Sequence, residues 1–253
     1  MPKLELPDSV SNILENTTGE LTTNVGKTFG DIWFLIFGGI SQAADKRKAK
    51  YAHNLVIFKQ ELSASINEIL PEKQIEPSLQ ITAQALENSK YCIEEKELRE
   101  MFTSLISNSM NSDFSQTIHP SLAEIIKQMS VVDAQIMKKF KKMVPSDIPI
   151  CNYHMVTPGK QGYNVIFENV FLELPEINLD ICSTAISSLK RLGLIQIPEG
   201  VYMEPENRYD IFKKHPQFSI LQNTFPNYQI LIDKRVASLT PLGQSFVNAC
   251  IPD

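Results

Sequence analysis

Four cysteines (Cys92, Cys151, Cys182, Cys250) and four histidines (His53, His119, His154, His215) are the side chains of this 253-residue chain best suited to covalent or metal chemistry. A thiol beside an imidazole can act as a nucleophile and its base, but that depends on proximity in space, which spacing alone does not supply. Cys151-Asn-Tyr-His154 has half of a zinc-site spacing. Zinc needs three or four ligands, and no second Cys/His pair lies in a short loop; Cys182 and His215 are the residues that could fold in. Burial of a thiol beside a loop histidine is the simpler reading. Val25-Gly26-Lys27-Thr28 is similar to the tail of a phosphate-binding loop, which needs a glycine five residues before Gly26, where Leu21 stands. These residues read instead as a helix N-terminus. Glu94, Glu95, Glu97 and Glu100 could gather a cation, yet Glu95 and Arg99 have the spacing of an i,i+4 surface ion pair, and acids suit a first helical turn. Neither G-x-S-x-G nor H-E-x-x-H occurs. No residue is therefore assigned a catalytic, cofactor-binding or metal-binding role, and no cofactor is expected.

Two basic clusters invite anionic partners. Lys46, Arg47, Lys48 and Lys50 follow the most apolar stretch of the chain, FGDIWFLIFGGISQAA, an order that holds interfacial helices against anionic lipid. Trp33, Phe34 and Phe37 are the side chains that would enter lipid or meet a partner. The 13 residues between Asp31 and Asp45 make about 20 Å of helix, short of the roughly 30 Å hydrocarbon core, so a spanning helix is not expected. The live choices are packing on the bundle, favoured for the resting state, or lying in the lipid interface. Lys138, Lys139, Lys141 and Lys142 read as a solvated helix face.

Apolar periodicity supplies the elements that would carry these groups. Val25, Phe29, Ile32, Trp33, Ile36, Phe37, Ile40 and Ala44 form a helical stripe weakened by Gly26, Gly30, Gly38 and Gly39. Residues 46–70 form a cleaner amphipathic helix with Leu55, Phe58, Leu62, Ile66 and Ile69 on one face, ended by Pro71. Further helices follow over residues 79–91, 94–110 and from Pro120, so residues 46–129 read as about four antiparallel helices. Ser130-Val-Val-Asp133 has the pattern of a capping box opening a helix to Met143. Prolines and β-prone pieces (IPIC, YNVIF, VYM, YQILI) then appear, together with a second candidate helix near 165–175, a helix ending SSLKRLGLI and a last helix in LTPLGQSFVNACI.

The order helix, short strand, helix and wing strands, with Gly193 as the left-handed residue after the helix, resembles a winged helix. Its recognition helix would present Thr184, Ser187, Lys190 and Arg191 to nucleic acid or to a partner. Glu173, Glu176 and Asp180 before it, and Glu199, Glu204 and Glu206 in the wing, would repel phosphate.

The chain is 43% hydrophobic and 21% charged, a composition that folds. Its net charge is −5, with 12 Lys/Arg against 17 Asp/Glu over residues 1–128 and 12 against 12 over the rest. Neither half is the basic body of a protein that binds nucleic acid mainly through phosphates. Widely spaced cysteines and the absence of a secretory-signal pattern point to reduced, buried thiols in a cytoplasmic protein, with peripheral contact to the inner face of the cell membrane as the alternative location.

Ile93-Glu94-Glu95-Lys96-Glu97-Leu98-Arg99-Glu100-Met101-Phe102, then Leu105-Ile106-Ser107-Asn108-Ser109-Met110, and His119-Pro120-Ser121-Leu122-Ala123-Glu124-Ile125-Ile126-Lys127-Gln128-Met129-Ser130 together resemble the core of the bacterial Abi-alpha (abortive infection alpha) family. LKRLGLI and LTPLGQSFVNACI are similar to its C-terminal pieces. The resemblance implies a bacterial or prophage-encoded protein of phage resistance and supplies no catalytic residues. His119, entering a turn before a helix, is read as a structural polar residue.

The expected fold is mainly α: an N-terminal arm and apolar amphipathic segment (1–45), an antiparallel helical bundle (46–129), and a winged-helix-like α+β domain (130–253). The expected function is a non-enzymatic phage-defence effector or sensor. It would act through contacts with a host or phage protein and through a membrane surface, with self-association open. A DNA-binding transcriptional regulator and a toxic enzyme such as a nuclease are the alternatives.

Overall fold

The computed structural model describes residues 23–37, 46–143 and 147–252. The arm over residues 1–20 and the end of the apolar segment, residues 38–45, lie outside the described residues. The protein is mostly helical with a small antiparallel sheet. It divides into two compact units, Met1–Gln128 with Asn248–Asp253, and Met129–Val247.

The first unit contains α1 (Thr23–Phe37), α2 (Lys46–Asn67), α3 (Leu79–Ser89), α4 (Lys96–Ser109) and α5 (Leu122–Lys127). Residues at i, i+4 and i+8 share one helix face, so Phe58, Leu62 and Ile66 line the buried side of α2. Pro71 opens a short 3₁₀ turn after α2, and Gln74 Nε2 donates to the Ile69 carbonyl at 3.1 Å and to the Ile66 carbonyl, a helix-end acceptor, at 3.4 Å. Helices α2, α3 and α5 all pack on α4, which buries Leu98, Met101, Phe102, Leu105 and Ile106. Each such side chain contributes roughly 1.5–3 kcal/mol by leaving water.

The Glu95–Arg99 surface pair expected from i,i+4 spacing does not form. Arg99 lies on the buried face of α4, where Nε and Nη2 donate to the two Glu61 carboxylate oxygens of α2 at 2.9 and 3.1 Å and Nη1 donates to the Ile93 carbonyl at 2.9 Å. A bidentate carboxylate across the helix interface satisfies a desolvated guanidinium, which an exposed neighbour one turn away cannot do. The i,i+4 pair on α4 is Lys96–Glu100 at 3.6 Å, and Glu95 is the N-cap residue.

The second unit opens with α6 (Val131–Lys142), begun by the capping box anticipated in the sequence. Ser130 N donates to Asp133 Oδ2 at 2.7 Å and Asp133 N to Ser130 Oγ at 3.1 Å. There follow β1 (Asp147–Val156), β2 (Asn164–Val170), α7 (Leu179–Arg191), β3 (Ile195–Gln196), α8 (Asp210–Lys214), α9 (Pro216–Thr224), β4 (Gln229–Leu239) and α10 (Pro241–Cys250), whose last residues belong to the first unit. The strands form one antiparallel sheet in the order β2-β1-β4-β3. Pro149 sits within β1 without breaking it because β2 pairs only from Cys151 onward, which leaves that edge without a ladder to interrupt.

Two expectations fail here. The candidate helix near 165–175 is strand β2, because Val165, Ile166 and Val170 are β-branched and find a partner in β1, while Pro175 closes off helix continuation. Residues 201–203 form no strand, bracketed by Gly200 at φ +67 and Pro205, which has no amide donor. Helices α8 and α9 follow instead. They and the turn before them put Tyr209, Phe212 and Phe218 against Cys151, Tyr153, Val170 and Ile230 of the sheet. Tyr153 Oη donates to the Phe212 carbonyl at 2.9 Å, and Tyr209 Oη donates to the Arg235 carbonyl at 2.7 Å while accepting from Met203 N at 3.0 Å.

Gly193 adopts φ +74 after α7, the left-handed geometry anticipated for it. Thr240 Oγ1 donates to its carbonyl and accepts from Gly243 N at 2.9 Å. That holds the first turn of α10 so close to Leu194 that a Cβ on Gly243 would lie 1.9 Å from the Leu194 carbonyl oxygen. Gly243→Ala is therefore expected to lower stability by about 3 kcal/mol in urea unfolding, as overpacking against unyielding backbone does. A loss below about 1 kcal/mol would mean that α10 can shift away. Arg99→Ala, which leaves the Glu61 carboxylate and the Ile93 carbonyl unpaired, should lower stability by about 3 kcal/mol in the same measurement. A near-neutral result would show that Glu61 is already solvated.

Candidate functional site

Helix α1 has two opposed faces. Phe29, Ile32, Trp33 and Phe37 are buried, with Trp33 4.6 Å from the Phe37 ring and 5.8 Å from Phe58 of α2. The next positions of the helix turn outward, leaving Phe34 67% and Leu35 84% exposed. Asp31, three and four residues before them, is exposed on the same side. Trp33 and Phe37 thus serve the core, and Phe34 remains the outward member of the predicted trio, joined by Leu35, which the sequence reading did not single out. Its exposure was hidden in the sequence because an almost continuous apolar run gives periodicity no polar face to detect. Lys46, Arg47 and Lys48 open α2, and Lys50 Nζ pairs with Glu94 at 2.8 Å. Val25 to Thr28, the sequence similar to a phosphate loop, lie within α1, where Thr28 Oγ1 donates to Glu76 at 3.2 Å.

Helix α7 begins at Asn178, whose side chain accepts from Asp180 N at 2.8 Å. Thr184, Ser187, Lys190 and Arg191 all lie on its exposed side. Thr184 Oγ1 donates back to the Asp180 carbonyl at 2.8 Å, Ser187 Oγ donates to the Ser183 carbonyl and accepts from Asn169 Nδ2 at 3.1 Å. Lys190 and Arg191 occupy the last turn, where the helix carbonyl end favours cations. At the edge of that side, half-buried Ser188 donates to Asp133 at 3.4 Å. Burial raises the Asp133 carboxyl above the usual range against the lowering effect of its hydrogen bonds and of Arg191. The N-terminal end of α7 borders a cavity of about 360 Å³ lined by Glu176, Asp180, His215 and Phe167. Its two carboxylates disfavour phosphate.

The reactive side chains are largely taken up by structure. All four cysteines are reduced and buried, and burial raises every thiol above its ordinary range. Cys151 and His154 face opposite sides of β1: Cys151 belongs to the core beside Tyr153, and His154 stacks on Tyr163. They therefore do not converge on an ion. His119 Nδ1 accepts from Ser121 N at 3.1 Å and lies 2.7 Å from Ser121 Oγ at the entry to α5, and His215 Nδ1 accepts from Gln217 N at 3.2 Å as the cap of α9. Among the described residues no group of three or more His, Cys, Asp or Glu side chains could hold a metal, and no helix is long and apolar enough to cross a membrane.

One cluster escaped the sequence reading. His154, 8% exposed, lies 3.7 Å from Asp233 across to β4; Asp233 Oδ2 also accepts from Asn152 Nδ2 at 3.2 Å and Arg235 Nε at 2.8 Å. Residues 154, 163 and 233 meet only through strand pairing, so nothing local in the sequence links them.

The features to be reconciled are a mainly helical chain with a small antiparallel sheet, thiols confined to cores, and an apolar surface on its first helix. The model of the abortive infection alpha family matches residues 50–250, and the chain belongs to that family, which suggests a role in abortive infection and phage defence. Comparison with curated proteins and with solved structures gives no match.

Because every thiol is buried and raised, a thiol reagent at pH 8 should modify none of the four cysteines in the native protein and all four in denaturant. Rapid native labelling of any one would place it in an accessible, activated setting and reopen thiol chemistry.

Proposed function

We propose that the protein is a non-enzymatic effector or sensor of phage defence that acts by protein contact through the outer face of α1. The observation carrying this reading is the adjacent exposed pair Phe34 and Leu35, on a helix whose other face is anchored by Trp33 and Phe37. Anchoring keeps the pair presented rather than collapsed, and large apolar side chains set on a rigid element are the usual energetic centre of a protein interface.

The accompanying charge favours a protein over anionic lipid. Asp31 lies beside the apolar pair and would be repelled by lipid phosphate, while Lys50 is already paired with Glu94. The complementary partner surface has an apolar recess with a basic rim facing Asp31. Nucleic-acid contact by Thr184, Ser187, Lys190 and Arg191 is less favoured, because Glu176 and Asp180 stand at the start of the same helix.

The double substitution Phe34→Ser/Leu35→Ser should abolish protection in a phage-challenge assay, measured as plaque formation returning to the level of cells without the protein. Circular dichroism and melting temperature should stay close to wild type, since both side chains are solvent-exposed. Full protection by this variant would sink the reading. Wild-type binding to anionic vesicles in flotation, lost in the variant, would replace the protein partner with lipid.

A further inference from the structure

The outer face of the sheet carries an arrangement separate from α1. Tyr163, at the end of the connection between β1 and β2, lies flat on the His154 ring, with centroids 4.0 Å apart and planes inclined by 6°. Tyr163 is 59% exposed, so it covers the imidazole without being held by a core of its own. Beneath it, His154 Nε2 is buried and has no hydrogen-bond partner.

We propose that His154 and Tyr163 form an acid-sensitive latch on the β1–β2 hairpin, closed while the imidazole is neutral and released when it takes a proton from solvent.

The charged groups facing the ring are Asp233 and Arg235 of β4; β2 contributes Val165 opposite His154, the hairpin contributes the Tyr163 phenol, and β1 itself contributes Asn152. Asp233 favours the imidazolium, but its nearer oxygen already accepts from Asn152 and Arg235, and the Arg235 cation opposes a second positive charge. The tyrosine excludes the water that would otherwise solvate that charge. Burial, the largest influence, and Arg235 therefore outweigh Asp233 and hold the imidazole below its ordinary value. A depressed histidine favours the closed form fully above the ordinary imidazole range, and that preference is lost as pH falls through it, because the open form binds the proton more readily. Release would uncover the cross-strand row Val165, His154 and Leu231, two of whose members are already 42% exposed. Acid would thereby turn a capped, neutral imidazole into an exposed cationic one flanked by two apolar side chains.

The test is a pH titration of the His154 ring by NMR in the full chain, with Tyr163→Ala alongside, and amide hydrogen exchange over residues 157–165 corrected for the intrinsic pH dependence of exchange. The wild-type ring should titrate below about 6.5 and move up toward that value in Tyr163→Ala. Opening of 157–165 should increase on acidification by at most about tenfold per pH unit, the limit for one proton, and His154→Gln should remove that dependence. A wild-type value at or above about 6.5 would mean that Asp233 and the tyrosine face stabilise the cation, overturning the latch. An exchange profile with the same pH dependence in wild type and His154→Gln would overturn it as well. The titrations of wild type and Tyr163→Ala decide the question even if His154→Gln does not fold.

Discussion

A buried guanidinium sets the terms on which the first unit packs. Arg99 has five N–H donors and no way of shedding its charge, so its burial requires that acceptors be brought to it. Glu61 of α2 supplies two and the Ile93 carbonyl, just before α4, supplies a third. These bonds fix the position of α2 on α4 and of the turn that leads into α4, and the apolar side chains around them must fit that fixed spacing. Phe58 and Leu62 on α2 and Leu98 and Phe102 on α4 are accordingly fully or almost fully buried. Burial of apolar area alone would tolerate sliding of one helix along another, and a bidentate pair does not. Ser65 Oγ donating to Ser107 Oγ at 2.9 Å adds a second polar constraint between α2 and α4, and Asn88 Nδ2 donating to Glu124 at 2.8 Å adds one between α3 and α5.

In the second unit the comparable constraint is the long pairing of β1 with β4. Ten residue pairs run from Asp147–Ser238 to Val156–Gln229. One face of that ribbon is closed by α8, α9 and the preceding turn, with the Tyr153 and Tyr209 hydroxyls satisfied by backbone carbonyls. A tyrosine can fill such a core only where its hydroxyl finds a partner, so these two bonds orient the segment as well as stabilise it. The opposite face carries Asn152, His154, Asp233 and Arg235, an assembly of polar groups whose mutual bonds explain their tolerance of partial burial.

What the sequence disclosed follows the range of the interactions. The Ser130–Asp133 capping box, the α2 stripe and the left-handed Gly193 are specified within a few residues of themselves, and each is read from that short stretch. Strand β2 was open to a helical reading because half-buried β-branched residues acquire their meaning only from β1. Helix α9 was missed although His215-Pro216 is a cap followed by a proline at the first helical position, a local signal overshadowed by neighbouring β-prone segments. Arg99 illustrates the opposite error. Its i,i+4 neighbour was visible and its actual partner, thirty-eight residues away, was not. The His154 cluster depends on strand register in the same way, and the split of α1 into anchored and exposed aromatics depends on where α2 lies.

The location of α1 bears on how a defence protein of this family could be specialised. The family match begins at residue 50, inside α2, and therefore includes Arg99, Glu61 and the sheet but leaves α1 outside. Helix α1 is attached to that shared core through its inner face, with Trp33 against Phe58 and Thr28 donating to Glu76. Such an attachment constrains the inner face of α1 and places no packing demand on Phe34, Leu35 or Asp31. On the reading that α1 makes the functional contact, the outer face can be matched to a partner without disturbing the buried ion pair or the strand register. A core that must satisfy Arg99 has little freedom to change, whereas an appended helix with one anchored face has a whole surface free to do so.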